Sequence, residues 1–217
     1  MPALEDPYDP PTAPLTILHQ DHELLAVDKP AGLLSVPGKG AHLADCLLAR
    51  LEDDYPGVRL VHRLDRDTSG VMIFALSALA QRHLGLQFEK RQVRKVYLAE
   101  VDGRLEGEGV IEAPIIVDWP NRPRQKIDAE EGRAAVTEWR AKSPGETTRV
   151  ELRPQTGRSH QLRLHMEHIG HPILGDVFYG TEATRQSRAR LMLHAWKLSL
   201  RHPDGGERLT LRAKPPF

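Results

Sequence analysis

The stretch Val61-His62-Arg63-Leu64-Asp65-Arg66-Asp67-Thr68-Ser69-Gly70 places one acid, Asp65, behind an arginine and ahead of a turn-forming Asp-Thr-Ser-Gly, with an apolar run from Val71 to Leu76 directly after it. Asp, Thr and Ser side chains bond their own backbone, and Gly accepts the positive φ of a tight turn. A carboxylate there would be mounted on a rigid turn at the mouth of a buried strand, which suits a reactive group. Taken alone, the ten residues equally allow a plain surface loop with a solvated acid. A second concentration of chemistry lies at Thr156-Gly157-Arg158-Ser159-His160-Gln161-Leu162-Arg163-Leu164-His165, where two arginines and two histidines follow one another closely. Histidines 160, 165, 168 and 171 invite a metal reading, but spacings of five and three match no standard ligand pattern and no cysteine assists, so no metal is expected.

These residues belong to a larger pattern. His62-Arg63-Leu64-Asp65-Arg66-Asp67-Thr68-Ser69-Gly70 resembles the signature of the RluA branch of the pseudouridine synthases. Two further segments match that branch in order: Asp28-Lys29-Pro30-Ala31-Gly32-Leu33-Leu34-Ser35-Val36-Pro37 ahead of the signature, and the Thr156 to His165 stretch followed by His171-Pro172-Ile173-Leu174-Gly175-Asp176. The resemblance covers nearly all of the chain from about Leu15 onward. It implies that Asp65 is the essential catalytic acid, that Tyr97 in Lys95-Val96-Tyr97-Leu98-Ala99 is the active-site tyrosine, and that Arg163 pairs with the catalytic acid. An adjacent guanidinium holds a carboxyl below its ordinary range and fixes its rotamer through paired hydrogen bonds. A phenol can stack on a base and pass or accept a proton.

The same resemblance implies substrate contacts at His62, Arg158, His160 and Leu164, and a role for Arg63 in filling the space a flipped uridine leaves or in gripping the backbone. Asp118-Trp119-Pro120-Asn121-Arg122-Pro123-Arg124-Gln125-Lys126 is too rich in proline for a helix. It resembles a substrate-facing loop of the branch, with Arg122 and Arg124 against RNA. No cofactor is implied. Gly38-Lys39-Gly40 could suggest a nucleotide loop, but Leu43 stands where a third glycine would be needed and no phosphate-loop Lys-Ser/Thr follows.

The elements that would position these residues can be read in outline. Leu15 to Gln20 and Glu23 to Asp28 are short apolar segments that read as a hairpin, which Lys29-Pro30-Ala31-Gly32 ends. Leucines 43, 47 and 51 line one face of a helix from His42 to Asp53. Val71 to Leu76 reads as a strand, and Ala78 to Arg91 as a helix with Leu79, Leu84 and Phe88 inward. Further strands are expected at Lys95 to Ala99, Ala134 to Lys142, Thr148 to Arg153, Lys197 to Arg201 and Arg208 to Arg212, the last two joined by a turn at Asp204-Gly205-Gly206. With the resemblance, this predicts an α+β fold: a bent, mainly antiparallel mixed sheet flanked by helices, with a central active-site cleft.

At 217 residues one catalytic domain is expected over 15–217, preceded by a flexible proline-rich tail over 1–14 and by no separate RNA-binding domain. Lys and Arg total 30 and Asp and Glu total 30, so an RNA partner would require the basic residues to be segregated onto one face. The single Cys46 forms no internal disulfide and fits a reducing cytosol. The acidic start is unlike a signal peptide and no apolar run approaches membrane-spanning length, which predicts a cytoplasmic, membrane-free monomer.

The resemblance thus implies isomerisation of uridine to pseudouridine in structured RNA. Lacking a separate RNA-binding domain, the chain looks most like the members acting on large-subunit ribosomal RNA and a tRNA anticodon stem-loop. Arg66-Asp67 inside the signature looks more like the larger, ribosomal-RNA-specific relatives. Two other functions stay open. A glycosidic-bond hydrolase could use Asp65 with Asp67, although acids so close match no usual acid/base separation. A non-catalytic RNA-binding module would bind in a salt-sensitive way whatever stood at position 65.

Overall fold

Two short apolar segments, β1 (Thr16–Gln20) and β2 (Leu24–Lys29), pair antiparallel across a turn closed by Asp21, whose carboxylate accepts the Glu23 and Leu24 N–H groups at 2.8 Å. They begin the computed structural model, which describes residues 8–217. After them come a 3₁₀ turn at Ala41–Leu43, α1 (Leu47–Asp54), β3 (Arg59–Leu60), β4 (Ser69–Ala75) and α2 (Ala78–Glu89). The chain continues through β5 (Arg94–Asp102), β6 (Glu108–Glu112), β7 (Ile115–Val117), a second 3₁₀ turn at Trp119–Asn121, β8 (Gln125–Ile127), β9 (Val136–Ser143) and β10 (Thr147–Pro154). It closes with α3 (Gln161–His168), α4 (Glu182–Gln186), β11 (Leu193–Arg201) and β12 (Arg208–Arg212). The fold is α+β.

These elements form two compact units. The first takes in 8–95 and 194–216, the second 96–193 with Phe217. In the first unit the strand order is β1-β2-β4-β11, with β3 on β4 and β12 on β11. All pairings there are antiparallel except β4 with β11, where Ser69 lies beside His194 and Gly70 beside Ala195. Every residue of β4 is buried, as a strand covered on both faces requires. Ile73 and Ala75 pack with Leu24 and Ala26, with Leu84 of α2, and with Leu198 and Leu211. In the second unit β5-β10-β9-β6 form an antiparallel sheet and β7-β8 a separate hairpin. Its core joins Val101, Val150 and Leu152 to Leu162 and Met166 of α3.

Three expectations are corrected. The helix expected over His42 to Asp53 begins only at Leu47, because Cys46 caps it through its sulfur, which accepts the Ala49 N–H at 3.4 Å. Leu79 is 79% exposed, and the inward side of α2 is carried by Ala80, Leu84 and Gln87. Gln87 is inward because its amide bonds both backbone groups of Arg201. The strand expected from Lys197 starts at Leu193, since Leu191-Met192-Leu193 continues directly into it. Of the proline-rich segment expected as a tail, residues 1–7 lie outside the described residues. Residues 8–14 form neither helix nor strand and are fastened to the first unit: the Tyr8 hydroxyl donates to Asp45 O and accepts the Leu34 N–H, and Arg50 bonds Pro11 O. No helix among the described residues is long and apolar enough to cross a membrane.

Candidate active site

The Asp65 turn is built by residues that the sequence places far from it. Lys29, fully buried at the end of β2, donates from Nζ to Pro30 O, Leu33 O and Arg66 O at 2.7 to 2.8 Å. One ammonium thereby binds the Asp-Lys-Pro-Ala-Gly segment to the backbone directly behind Asp65. Ser35 adds a two-way clasp: its Oγ donates to Leu64 O at 2.6 Å and accepts the Leu64 N–H at 3.2 Å. The Gly32 N–H reaches Arg66 O, and the Thr68 N–H closes the turn on Asp65 O. The carboxylate of Asp65 is thus carried by fixed backbone while its side chain remains half-exposed.

The exit from the turn is as tightly held. Gly70 has φ 114°, and a Cβ there would lie 2.3 Å from Ala195 O, so β4 and β11 meet only if this residue is glycine. Next to it Ser69 Oγ and His194 Nδ1 are 2.8 Å apart, and His194 Nε2 reaches the Ala213 carbonyl. A carbonyl only accepts, so Nε2 carries the proton and Ser69 donates to Nδ1. His62, expected against substrate, has work inside the first unit. Its Nε2 accepts the Ile73 N–H at 3.0 Å and its ring stacks on Phe88 at 4.7 Å. Burial, with the nearby Lys95 charge, pushes it down to about 3, so it acts as a neutral acceptor that pins the signature onto β4. Arg63 beside it is exposed. Asp67 is engaged by its neighbour Arg66 at 2.8 Å.

The second unit holds the remaining candidates. Tyr97 stands half-buried on β5 opposite Leu152 and packs on the unit's core. Arg163 is 1% exposed on α3. Its Nε and Nη2 donate to the two oxygens of Asp176, each at 2.7 Å, in a buried fork. Burial pushes the Asp176 carboxyl up, but the guanidinium, with the Phe178 and Tyr179 N–H groups, outweighs it and holds the acid below its ordinary value. The rings of Phe178 and Tyr179 cover the guanidinium at 5.0 and 5.4 Å. Asp176 thus emerges as a partner of Arg163.

Around this pair a polar network fixes the Thr-Gly-Arg-Ser-His turn. Buried Gln161 accepts from Thr156 Oγ1 and from the Arg158 N–H, and donates to Val136 O and Thr137 Oγ1. Arg158 bonds Ala134 O. His160 starts α3 in the left-handed region, φ 55°, and stacks on Phe178. The Tyr179 hydroxyl accepts the Gln125 N–H at 2.8 Å, which leaves its own hydrogen to donate to His160 Nδ1, also at 2.8 Å. Leu164, expected against substrate, is buried with Ile115 and Ala135 and contributes packing. On the β7–β8 loop Arg122 lies over the exposed Trp119 at 4.5 Å and Arg124 over Phe178 at 6.0 Å. Of the histidines weighed as metal ligands, His165 bonds Thr137 and Ala113 O and His171 bonds Asp102 O. Burial lowers the His165 pKa and favours its neutral form.

Lys29, Ser35, Asp176 and Tyr179 carry much of this geometry, and the sequence reading gave none of them a role. A signal existed for the first: a lysine closing a strand that opens with four apolar residues, just before a proline.

Known proteins resemble this chain over most of its length. The profile of the RNA pseudouridylate synthase family matches residues 23–168. Proteins described as "Dual-specificity RNA pseudouridine synthase RluA" are 47% identical in Escherichia coli K12 and 49% identical in Pasteurella multocida, each over 97% of this chain and 98% of the relative. Among solved structures, "Human RNA Pseudouridylate Synthase Domain Containing 1" superposes with a TM-score of 0.77 at 30% identity, over 94% of this chain and 84% of its own. "Human RNA Pseudouridylate Synthase Domain Containing 4" gives 0.73 at 27% identity, over 92% and 88%.

Proposed function

Because the chain belongs to the RNA pseudouridylate synthase family, within its RluA branch, and is an RNA pseudouridine synthase, we propose that Asp65, Tyr97 and Arg163 act together on one uridine lifted from its stack. The reaction breaks the bond between N1 of uracil and C1′ of the ribose, turns the base, and joins C5 to C1′. The C5 proton leaves and N1 ends protonated, so atoms balance without oxidant, reductant or group donor. Asp65 acts at the ribose, Tyr97 receives or relays the C5 proton, and Arg163 orients the acid. Arg63, Arg122, Arg124 and Arg158 contact phosphates, which position the RNA without reading its bases. His160 completes the contact surface around the base.

The observation that carries this reading is the mounting of Asp65, a half-exposed acid on a turn that Lys29 and Ser35 lock from behind. The hydrolase alternative is weakened by Asp67, whose oxygens are taken by Arg66. Two RNAs are proposed as substrates, large-subunit ribosomal RNA and a tRNA anticodon stem-loop, in keeping with the dual specificity in the relatives' description. We further infer that the enzyme works as a monomer in the cytoplasm.

The test is to incubate the protein and its Asp65→Asn variant with both transcripts and map pseudouridine by carbodiimide-stop sequencing. Stops with the native protein that vanish with the variant are expected, on RNA that both bind. Free uracil in place of pseudouridine would establish the hydrolase instead.

A further inference from the structure

With 30 bases and 30 acids in the chain, a surface holding one sign alone shows where charge has been sorted. The β11–β12 hairpin has such a surface. Leu198, Leu200 and Leu211 face the core of the first unit, and the alternate residues Arg201, Arg208, Thr210, Arg212 and Lys214 are exposed. The register sets Arg201 opposite Arg208, Ser199 opposite Thr210, and Lys197 opposite Arg212. A hydroxyl rung therefore separates two rungs of like charge, and no acid shares that face of either strand. Like charges directly opposite destabilise a sheet.

Nothing within the unit relieves this repulsion. Among the described residues neither Arg201, Arg208, Arg212 nor Lys214 forms an ion pair, and Arg201 donates only to the Gly206 carbonyl at 3.2 Å. The Lys197 ammonium is drawn 3.3 Å over the Trp196 ring, so the arginines carry the charge of the face. Guarding an exposed edge would explain charges on β12 alone. It does not explain Arg201 on the inner strand, matched to Arg208. Ser199 and Thr210 bond each other at 2.8 Å, which uses one of their two hydrogens and leaves the other to donate outward. Rungs two residues apart lie about 6.8 Å from one another, close to the spacing of successive phosphates along an RNA strand.

We propose that this face of the β11–β12 hairpin binds the phosphate backbone of the RNA substrate beyond the modified nucleotide. The arginines fork phosphate oxygens and the hydroxyl rung donates between them. The inference rests on the pseudouridine synthase reading for its ligand. Its location follows from β11 itself, which begins beside Ser69 and Gly70 at the end of the Asp65 turn and reaches Arg201 six residues beyond Ala195, about 20 Å away.

The experiment compares the native protein with R201Q/R208Q/R212Q and R201K/R208K/R212K on a long structured transcript and on a minimal stem-loop. It measures pseudouridine formation and binding across a salt series. With the glutamine variant, KM for the long RNA is expected to rise at least about tenfold near 100 mM salt with kcat unchanged. The slope of log affinity against log salt should fall by about 2 to 3. The stem-loop should be affected less, and the lysine variant should keep the slope. A glutamine variant that matches the native slope and KM overturns the proposal, as does a lysine variant that loses as much as the glutamine one. Absence of pseudouridine with the native protein would instead overturn the function reading, while the salt slopes still decide the surface.

Discussion

The Asp65 turn and the start of α3 both hold a charged side chain in place, and they do so by opposite means. Under the turn, the buried cation Lys29 gathers three backbone carbonyls, and the side chain of Asp65 stays half-exposed above. At α3 the cation Arg163 is itself buried, and a full ion pair with Asp176 fixes it under two aromatic rings. The first arrangement stiffens main chain and leaves the carried side chain open to solvent. The second orients a guanidinium directly, at the cost of desolvating two charges that must then stay together.

Four measurements probe that contrast. The largest effect is expected at Gly70→Ala, where the new methyl would meet Ala195 O while φ stays positive. A loss of about 5 kcal/mol in urea unfolding, near the limit for a single substitution, should leave little folded protein. Next is Asp176→Ala, which strands a buried guanidinium and should destabilise by about 3 to 5 kcal/mol. The double variant Arg163→Met with Asp176→Leu should regain most of that stability without activity. Lys29→Met leaves three carbonyls without their donor and should cost about 2 to 3 kcal/mol. Its kcat should fall further than its affinity for RNA, because the turn loosens beneath Asp65.

The effect that is smallest at neutral pH, and grows only as pH falls, concerns His62. His62 is held at about 3 in the folded state, against 6.5 when free, by burial and then by the Lys95 charge. Between those values the unfolded chain binds more protons, so stability rises with pH across the window and is lost as pH falls from 6.5 toward 3. His62→Gln should flatten that part of the stability profile, while Arg163 and Asp176, which pair in the dry interior, should add little to it above pH 5.

What could be read from the chain followed periodicity and motif. The β11–β12 strands and the β9–β10 hairpin rest on alternation that neighbouring residues reveal, and the α+β class on those strands together with the family resemblance. The signature around Asp65 was legible because its residues are contiguous. Asp176 stands within a matching motif that does not mark it as a partner, since a loop of irregular path separates it from Arg163. Leu79 is misplaced by one position: after the Ser77 cap the inward residue of the first turn is Ala80, whose small side chain carries a weaker apolar signal than its exposed neighbour. For His62 the resemblance implies a substrate contact, and only the fold shows the further bond in which its ring accepts the Ile73 N–H.

The pairing of β4 with β11 also has a consequence for synthesis. Ser69 and His194 are 125 positions apart, so the turn that carries Asp65 leaves the ribosome long before the strand that secures it. At 5 to 20 residues per second the wait is about 6 to 25 seconds. During that interval the nascent chain has the Asp65 turn but lacks the strand beside Gly70, and a message cut short before codon 194 would yield a chain without the β11–β12 hairpin, whose exposed β4 edge invites other strands.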